Sequence, residues 1–224
     1  MIRLAIVEDI DFTRELTVER LQARFGAVAS VEPFESVEQL VDSAARFDLV
    51  VLDLSLDGQA IQHYPAVRLV AAMTKVVVFS DYRSKEAVDQ ARNAGALGYV
   101  SKNSAHAADS LAVAIRKALE GERFLDPDTA AKIEADQRRR MLNPRMCDVL
   151  RLEALGRTTR QIAREVGLSE SGVRKNVDAI KGIYPEGDKQ TERARLAVRL
   201  GLVGESEPYQ PPDRRRSEPG APHG

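Results

Sequence analysis

Phe47-Asp48-Leu49-Val50-Val51-Leu52-Asp53 is the stretch on which the fold turns. Four apolar residues in a row end in a single carboxylate, as in a strand buried on both faces of a parallel sheet. Such a strand delivers Asp53 to the carboxyl edge, where ligand and catalytic groups gather in open α/β sheets. A second apolar run, Ile2 to Val7 with Arg3 as its only polar member, ends in Glu8-Asp9. If the two strands are neighbours, three carboxylates converge in one small cleft. Like charges this close stay ionised together only with help, and a divalent cation supplies it.

Further strands are predicted at 28–32, 75–79 and 97–100, with amphipathic stretches between them. Phe12, Leu16, Leu21 and Phe25 fall near helical spacing before Gly26, and Ser36 with Gln39 forms a capping box ahead of Val37, Leu40, Val41 and Ala44. Ala87, Val88, Ala91 and Ala94 end at Gly95; Leu111, Ala112, Ile115, Ala118 and Leu119 end at Gly121. The stretch 57–72, interrupted by Pro65, is the least clear helix. Five βα units predict a five-stranded, doubly wound parallel sheet over residues 1–121.

Residues 122–141 read as a partly helical linker, with a short polar helix starting at Asp126-Pro127 and a charge run at Arg138-Arg139-Arg140. Residues 142–203 then predict a small all-α domain. Asn143-Pro144 opens a helix carrying Met146, Val149, Leu150 and Leu155. Thr158 and Gln161 cap a short second helix. After Gly167-Leu168, Ser169 caps a third that turns Val173, Val177, Ile180 and Tyr184 inward. Helix, glycine turn, helix is a helix-turn-helix pattern. A last helix runs from Thr191 to Leu200, and the Pro-, Gly- and Arg-rich tail 204–224 is expected to be disordered.

The net charge of −1 conceals an asymmetry. Residues 1–124 carry 14 Lys+Arg against 18 Asp+Glu, about −4; residues 143–203 carry 12 against 8, about +4. An acidic front and a basic back suit two modules with different partners, the second a candidate for nucleic acid. The single Cys147 excludes an internal disulfide and reads as a small core residue. Nothing looks like a signal peptide, and no stretch approaches the roughly 18 apolar residues of a membrane span. A cytoplasmic protein without membrane contact is expected.

Residues 1–121 resemble the receiver domain of two-component response regulators. The matching features are Glu8-Asp9, Asp53, Ser80 and Tyr99-Val100-Ser101-Lys102, each at a strand end and in order. The resemblance implies that Asp53 accepts a phosphoryl group from a sensor histidine kinase. It implies Mg²⁺ on Glu8, Asp9, Asp53 and the backbone carbonyl of Ser55, with Lys102 and Ser80 on the phosphoryl oxygens and Tyr99 as the switch aromatic. One departure stands out. The family commonly has a proline after the phosphoacceptor, whereas here the chain runs Leu54-Ser55-Leu56-Asp57-Gly58. His63 and His106 lack metal-ligand partners in the sequence and read as surface residues.

Leu142 to Val203 resemble the LuxR-type helix-turn-helix that ends NarL/FixJ response regulators. The matching stretches are Leu142-Asn-Pro-Arg145, Val149-Leu-Arg-Leu152, Gln161-Ile-Ala163, Val166-Gly-Leu-Ser169 and Arg199-Leu-Gly-Leu-Val203. The family's effector domain binds promoter DNA, usually as a dimer, and RNA polymerase is a further partner. On the third helix Arg174 and Lys175 are expected on bases, Asn176 on a base or phosphate and Lys181 on the backbone; Arg160 and Arg164 are phosphate candidates. Asp178 and Gly172 depart from the pattern, a carboxylate near the groove being unfavourable and a glycine costing the helix about 1 kcal/mol relative to alanine.

These readings predict a transcriptional regulator switched by phosphorylation at Asp53, not an enzyme. An aspartyl-phosphate hydrolase would carry a second Asp two residues after the first, where this chain has Ser55. The alternatives are a receiver controlled by a ligand or protein partner instead of phosphate, and an adaptor that never touches DNA.

Overall fold

The structure, a computed structural model, describes residues 1–55 and 64–204. The loop after Asp53, with Asp57, Gly58 and His63, and the tail beyond Gly204 lie outside the described residues. Two compact units divide the chain, Met1–Glu134 and Ala135–Gly224.

The first unit alternates strands and helices: β1 (Ile2–Val7), α1 (Asp11–Phe25), β2 (Ala29–Phe34), α2 (Val37–Asp42), β3 (Leu49–Leu52), α3 (Tyr64–Ala71), β4 (Lys75–Ser80), α4 (Lys85–Asn93), β5 (Gly98–Ser101), α5 (Ala107–Leu119) and β6 (Phe124–Leu125). All pairings are parallel, in the order β2-β1-β3-β4-β5-β6. A parallel neighbour needs a crossover, so helices cover both faces and the central strands are apolar throughout. Leu49, Val50, Val51 and Leu52 are each at most 1% exposed. They divide alternately between two cores, Val50 and Leu52 with Ala5, Val7 and Val78 on one face, Leu49 and Val51 with Leu4, Ile6 and Ile115 on the other. The chain reverses direction across the sheet between β1 and β3, and the crevice at their carboxyl ends is where such sheets hold ligands.

Two features differ from the reading of the sequence. The sheet has a sixth strand: Gly98 pairs with Phe124 and Tyr99 with Leu125, too short a run to carry alternation. The stripe expected on α1 is also shifted. Thr17 and Leu21 are its buried residues, whereas Phe12 is 74% exposed, because it sits in the first turn beside the cleft rather than over the sheet.

The segment after β6 is one 15-residue helix, α6 (Pro127–Met141), longer than the short helix expected. Buried Asp126 starts it, its carboxylate accepting from Thr129 N at 3.1 Å, Thr129 Oγ1 at 2.9 Å and Ser104 Oγ. The division between the two units falls inside α6.

The second unit is helical: α7 (Pro144–Ala154), α8 (Thr159–Glu165), α9 (Glu170–Ile183), a 3-10 turn at Pro185–Gly187 and α10 (Gln190–Arg199). Each of the first three is started by a side chain that accepts a backbone N–H of its opening turn: Asn143, Thr158 and Ser169. Gly167, at φ +65°, makes the left-handed turn between α8 and α9 that a side chain would strain. Val149, Leu150, Ile162, Val173, Ile180, Tyr184 and Ala197 close the core; Val177 is half-buried beside it.

Candidate functional site

The register places the acids side by side. Leu52 of β3 lies opposite Val7 of β1, so the residues that follow, Asp53 and Glu8, leave neighbouring strands together. The Asp53 amide donates to Val7 O at 3.0 Å and the Glu8 amide to Phe34 O at 3.1 Å, which fixes both strand ends. Carboxylate oxygens of Glu8, Asp9 and Asp53 lie within 4.8 Å of one another. Lys102, just past β5, reaches across β4: its Nζ donates to Asp53 Oδ2 at 2.9 Å and Glu8 Oε2 at 2.5 Å.

The cleft is dry. Glu8 and Asp53 are each 2% exposed. Burial raises the pKa of both above the ordinary carboxylate range, and Lys102 recovers only part of that. Burial alone would lower the Lys102 ammonium, but Asp53 and Glu8 outweigh it and hold it charged. Among the described residues a single ammonium, that of Lys102, is shared between the Glu8 and Asp53 carboxylates. Asp53 Oδ1 is buried and makes no hydrogen bond of good geometry among the described residues, although the backbone amides of Leu54 and Ser55 lie close to the carboxylate; a ligand at that atom would complete its coordination. A compact set of carboxylate oxygens, one of them open to such a ligand, fits a hard divalent cation.

Ser80 ends β4 fully buried, its Oγ without a hydrogen bond of good geometry although Tyr99 lies beside it. The Tyr99 ring is turned inward, 3% exposed, and its hydroxyl donates to Tyr82 O at 3.0 Å. Burial raises the Tyr99 pKa, so the hydroxyl stays protonated. Ser55 is half-buried two residues after Asp53. Glu8, Asp9, Asp53, Lys102, Ser80 and Tyr99 thus surround one sheet edge.

The sequence reading passed over Arg14. Its side chain, 11% exposed, folds back from the first turn of α1. Nη1 donates to Glu8 O at 2.7 Å and Asp9 O at 3.3 Å, and Nη2 pairs with Asp11. An arginine one turn into a helix looks like a solvated charge in sequence, and only the sharp turn between β1 and α1 brings it to those carbonyls.

In the second unit Arg174, Lys175 and Asp178 are exposed on α9, and Arg160 and Arg164 are exposed on α8. Arg174 leans on Glu170 at 3.3 Å, a surface pair one turn away that is easily exchanged. Lys181 lies 3.3 Å from Asp188. Asn176 is different: its amide donates to Gly172 O at 2.8 Å along its own helix. Gly172, whose N–H donates to the cap Ser169 Oγ, leaves a Cβ only 3.3 Å from that oxygen.

Comparison with known proteins follows this geometry. The family model for the response regulator receiver domain matches residues 4–116. The chain is 34% identical over 131 residues to YvfU, an uncharacterised transcriptional regulatory protein of Bacillus subtilis, covering 58% of this chain and 63% of that one. It is 31% identical over 140 residues to the nitrate/nitrite response regulator NarL of Escherichia coli, covering 58% and 64%. The chain therefore spans just under two thirds of each of these relatives. A solved structure of the response regulator RcsB in complex with DNA shares the fold, with TM-score 0.52 and 18% identity over 88% of this chain and 98% of the other.

Proposed function

Because the chain belongs to the response regulator receiver family and is of the NarL/FixJ type, we propose that it is a DNA-binding transcriptional regulator switched by phosphorylation at Asp53. The observation that carries this reading is the pairing at Asp53. Lys102 holds one of its oxygens at 2.9 Å, and the other is buried with no side-chain donor on it among the described residues, only the amides of Leu54 and Ser55 nearby. The free oxygen is the nucleophile. It attacks phosphorus as the P–N bond of a histidine kinase's phosphohistidine breaks and the imidazole leaves. With acetyl phosphate as donor, a P–O bond breaks and acetate leaves.

Glu8, Asp9, Asp53 and the Ser55 carbonyl would hold Mg²⁺, which when bound offsets charge on the phosphate oxygens. Lys102 supplies positive charge to the same oxygens, and the Ser80 hydroxyl, unspent in the free cleft, donates to another. Drawing Ser80 toward the phosphoryl group opens room beside Tyr99, which makes that ring the switch.

The second unit reads DNA through α9. Arg174 and Lys175 face the bases, Lys181, Arg160 and Arg164 the phosphates. Asp178 accepts from a cytosine amine or holds Arg174, and Asn176 joins only if it gives up Gly172 O. Dimerisation on promoter DNA follows phosphorylation, as suits a protein sharing its fold with RcsB, whose structure is known as dimers bound to DNA. A sensor histidine kinase, promoter DNA, a second copy and RNA polymerase are the partners, in the cytoplasm. No described helix is long and apolar enough to cross a membrane.

The test is labelling with acetyl phosphate and Mg²⁺. Wild-type protein takes the label and Asp53→Asn takes none; label persisting in the variant moves the acceptor elsewhere. In a gel shift on the chain's own promoter, Lys175→Ala weakens binding about tenfold. Unchanged affinity removes Lys175 from the interface.

A further inference from the structure

We propose that Arg14 is a positioning residue for the cation site: its guanidinium clamps the carbonyls of Glu8 and Asp9 and so aims their carboxylates into the cleft. The inference rests on reading that cleft as a Mg²⁺ site. Between β1 and α1 the chain turns within Glu8, Asp9 and Ile10, tied on the strand side by the Glu8 amide to Phe34 O at 3.1 Å and on the helix side by the Arg14 amide to Ile10 O at 2.9 Å. The Ile10 that precedes α1 makes no side-chain cap. The Ile10 amide reaches Glu8 Oε1 only at 3.4 Å. The peptide carbonyls of the two acids themselves are held by Arg14, whose Nη1 donates to Glu8 O at 2.7 Å and to Asp9 O at 3.3 Å. A carbonyl held in place fixes the rotation of its peptide, and with it the direction of the neighbouring Cα–Cβ bonds. One guanidinium nitrogen, Nη1, thus holds both peptides at once, while the planar group is kept in place by Nη2 on Asp11.

A cation next to a cation site would ordinarily weaken metal binding by repulsion. Here the charge is matched on its outer side. Nη2 pairs with Asp11 and lies 3.7 Å from Glu35 Oε1. The arrangement keeps the fork's geometry while offsetting its field. Arg14 stands to Glu8 and Asp9 as the outer partners of metal ligands stand to theirs, where loss of one typically costs 10–100-fold in affinity.

Mg²⁺ titrations of the full chain by calorimetry, with metal-free thermal melts alongside, provide the test. Arg14→Met should weaken Mg²⁺ binding about tenfold, and Arg14→Lys, which keeps the charge but not the fork, about threefold. Unchanged or tighter binding in Arg14→Met means that only its charge was felt, and overturns the proposal. If Arg14→Met does not fold, Arg14→Lys decides alone: affinity equal to wild type overturns the proposal, weaker binding with an unchanged metal-free melt supports it. A wild-type chain with no Mg²⁺ affinity sinks the cation site and Arg14 with it. Wild-type binding with unaffected variants sinks Arg14 only.

Discussion

At the rim of the sheet one ammonium, Lys102, faces Glu8 and Asp53 with Asp9 alongside; between α7 and α10 one guanidinium, Arg193, faces one carboxylate, Glu153. Both assemblies are buried, and they are built to opposite rules. Arg193 donates from Nε to Glu153 Oε2 at 2.7 Å and from Nη2 to Oε1 at 3.0 Å. Its Nη1 donates to Gly187 O at 2.9 Å and Asp188 O at 2.7 Å. Charge is matched one to one and both oxygens are used. Hydrogen bonding to Glu153 raises the Arg193 pKa further, so the guanidinium stays charged although buried. In the cleft one ammonium is shared between two carboxylates, an Asp53 oxygen makes no hydrogen bond of good geometry among the described residues, and two carboxyls titrate high. A buried charge that finds all its partners holds a fold together; one that lacks a partner is waiting for a ligand.

The largest expected effect breaks the balanced site. Glu153→Leu strands a buried guanidinium and should cost the second unit about 3–5 kcal/mol, read by denaturant melts. Adding Arg193→Leu should restore most of that loss. If the double variant is no better than the single one, the pair is not the closed unit described.

The unbalanced site should respond with the other sign. Asp53→Asn removes a desolvated charge while Glu8 keeps Lys102, so the metal-free protein should gain about 1–2 kcal/mol at about pH 7.5. The raised folded pKa means the ionised carboxylate is disfavoured by folding. That penalty is absent below the ordinary Asp range and complete only above the folded pKa, so the gain should fade as pH falls to about 4. A variant less stable than wild type at neutral pH would erase the contrast.

A smaller effect concerns the cation. Binding requires Glu8 and Asp53 ionised, and both resist ionisation. Mg²⁺ affinity should therefore fall from about pH 7.5 to about pH 5.5, with protons released on binding. A flat profile would mean the carboxyls are not the ligands.

How far the sequence reached follows the same division. Asp53 and Glu8-Asp9 could be read because apolar runs end on them, and a buried strand has only its edge at which to place a charge. Lys102 and Ser80 also follow strands, but their roles came from the resemblance to the receiver family, since a lysine or serine after an apolar run is often an ordinary strand-end residue. Arg14 was not legible, since its contacts are to backbone carbonyls, which any residue supplies. Glu153 and Arg193 lay 40 residues apart on helices whose polar positions all look solvated. β6 escaped because two residues, Phe124 and Leu125, show no period, and Phe12 was misplaced because helical spacing does not say where a helix overhangs its sheet.

That short sixth strand has a practical consequence for anyone dividing the molecule. The family match ends at residue 116, yet β5, which bears Tyr99, is covered on its outer side by Phe124 and Leu125. A protein severed after Gly121 would bare an unpaired row of amides and carbonyls along β5, an open template for strand-to-strand stacking with other copies. Grafts of this receiver onto another output module should be joined beyond Thr129, where the Asp126 carboxylate has already closed the seam.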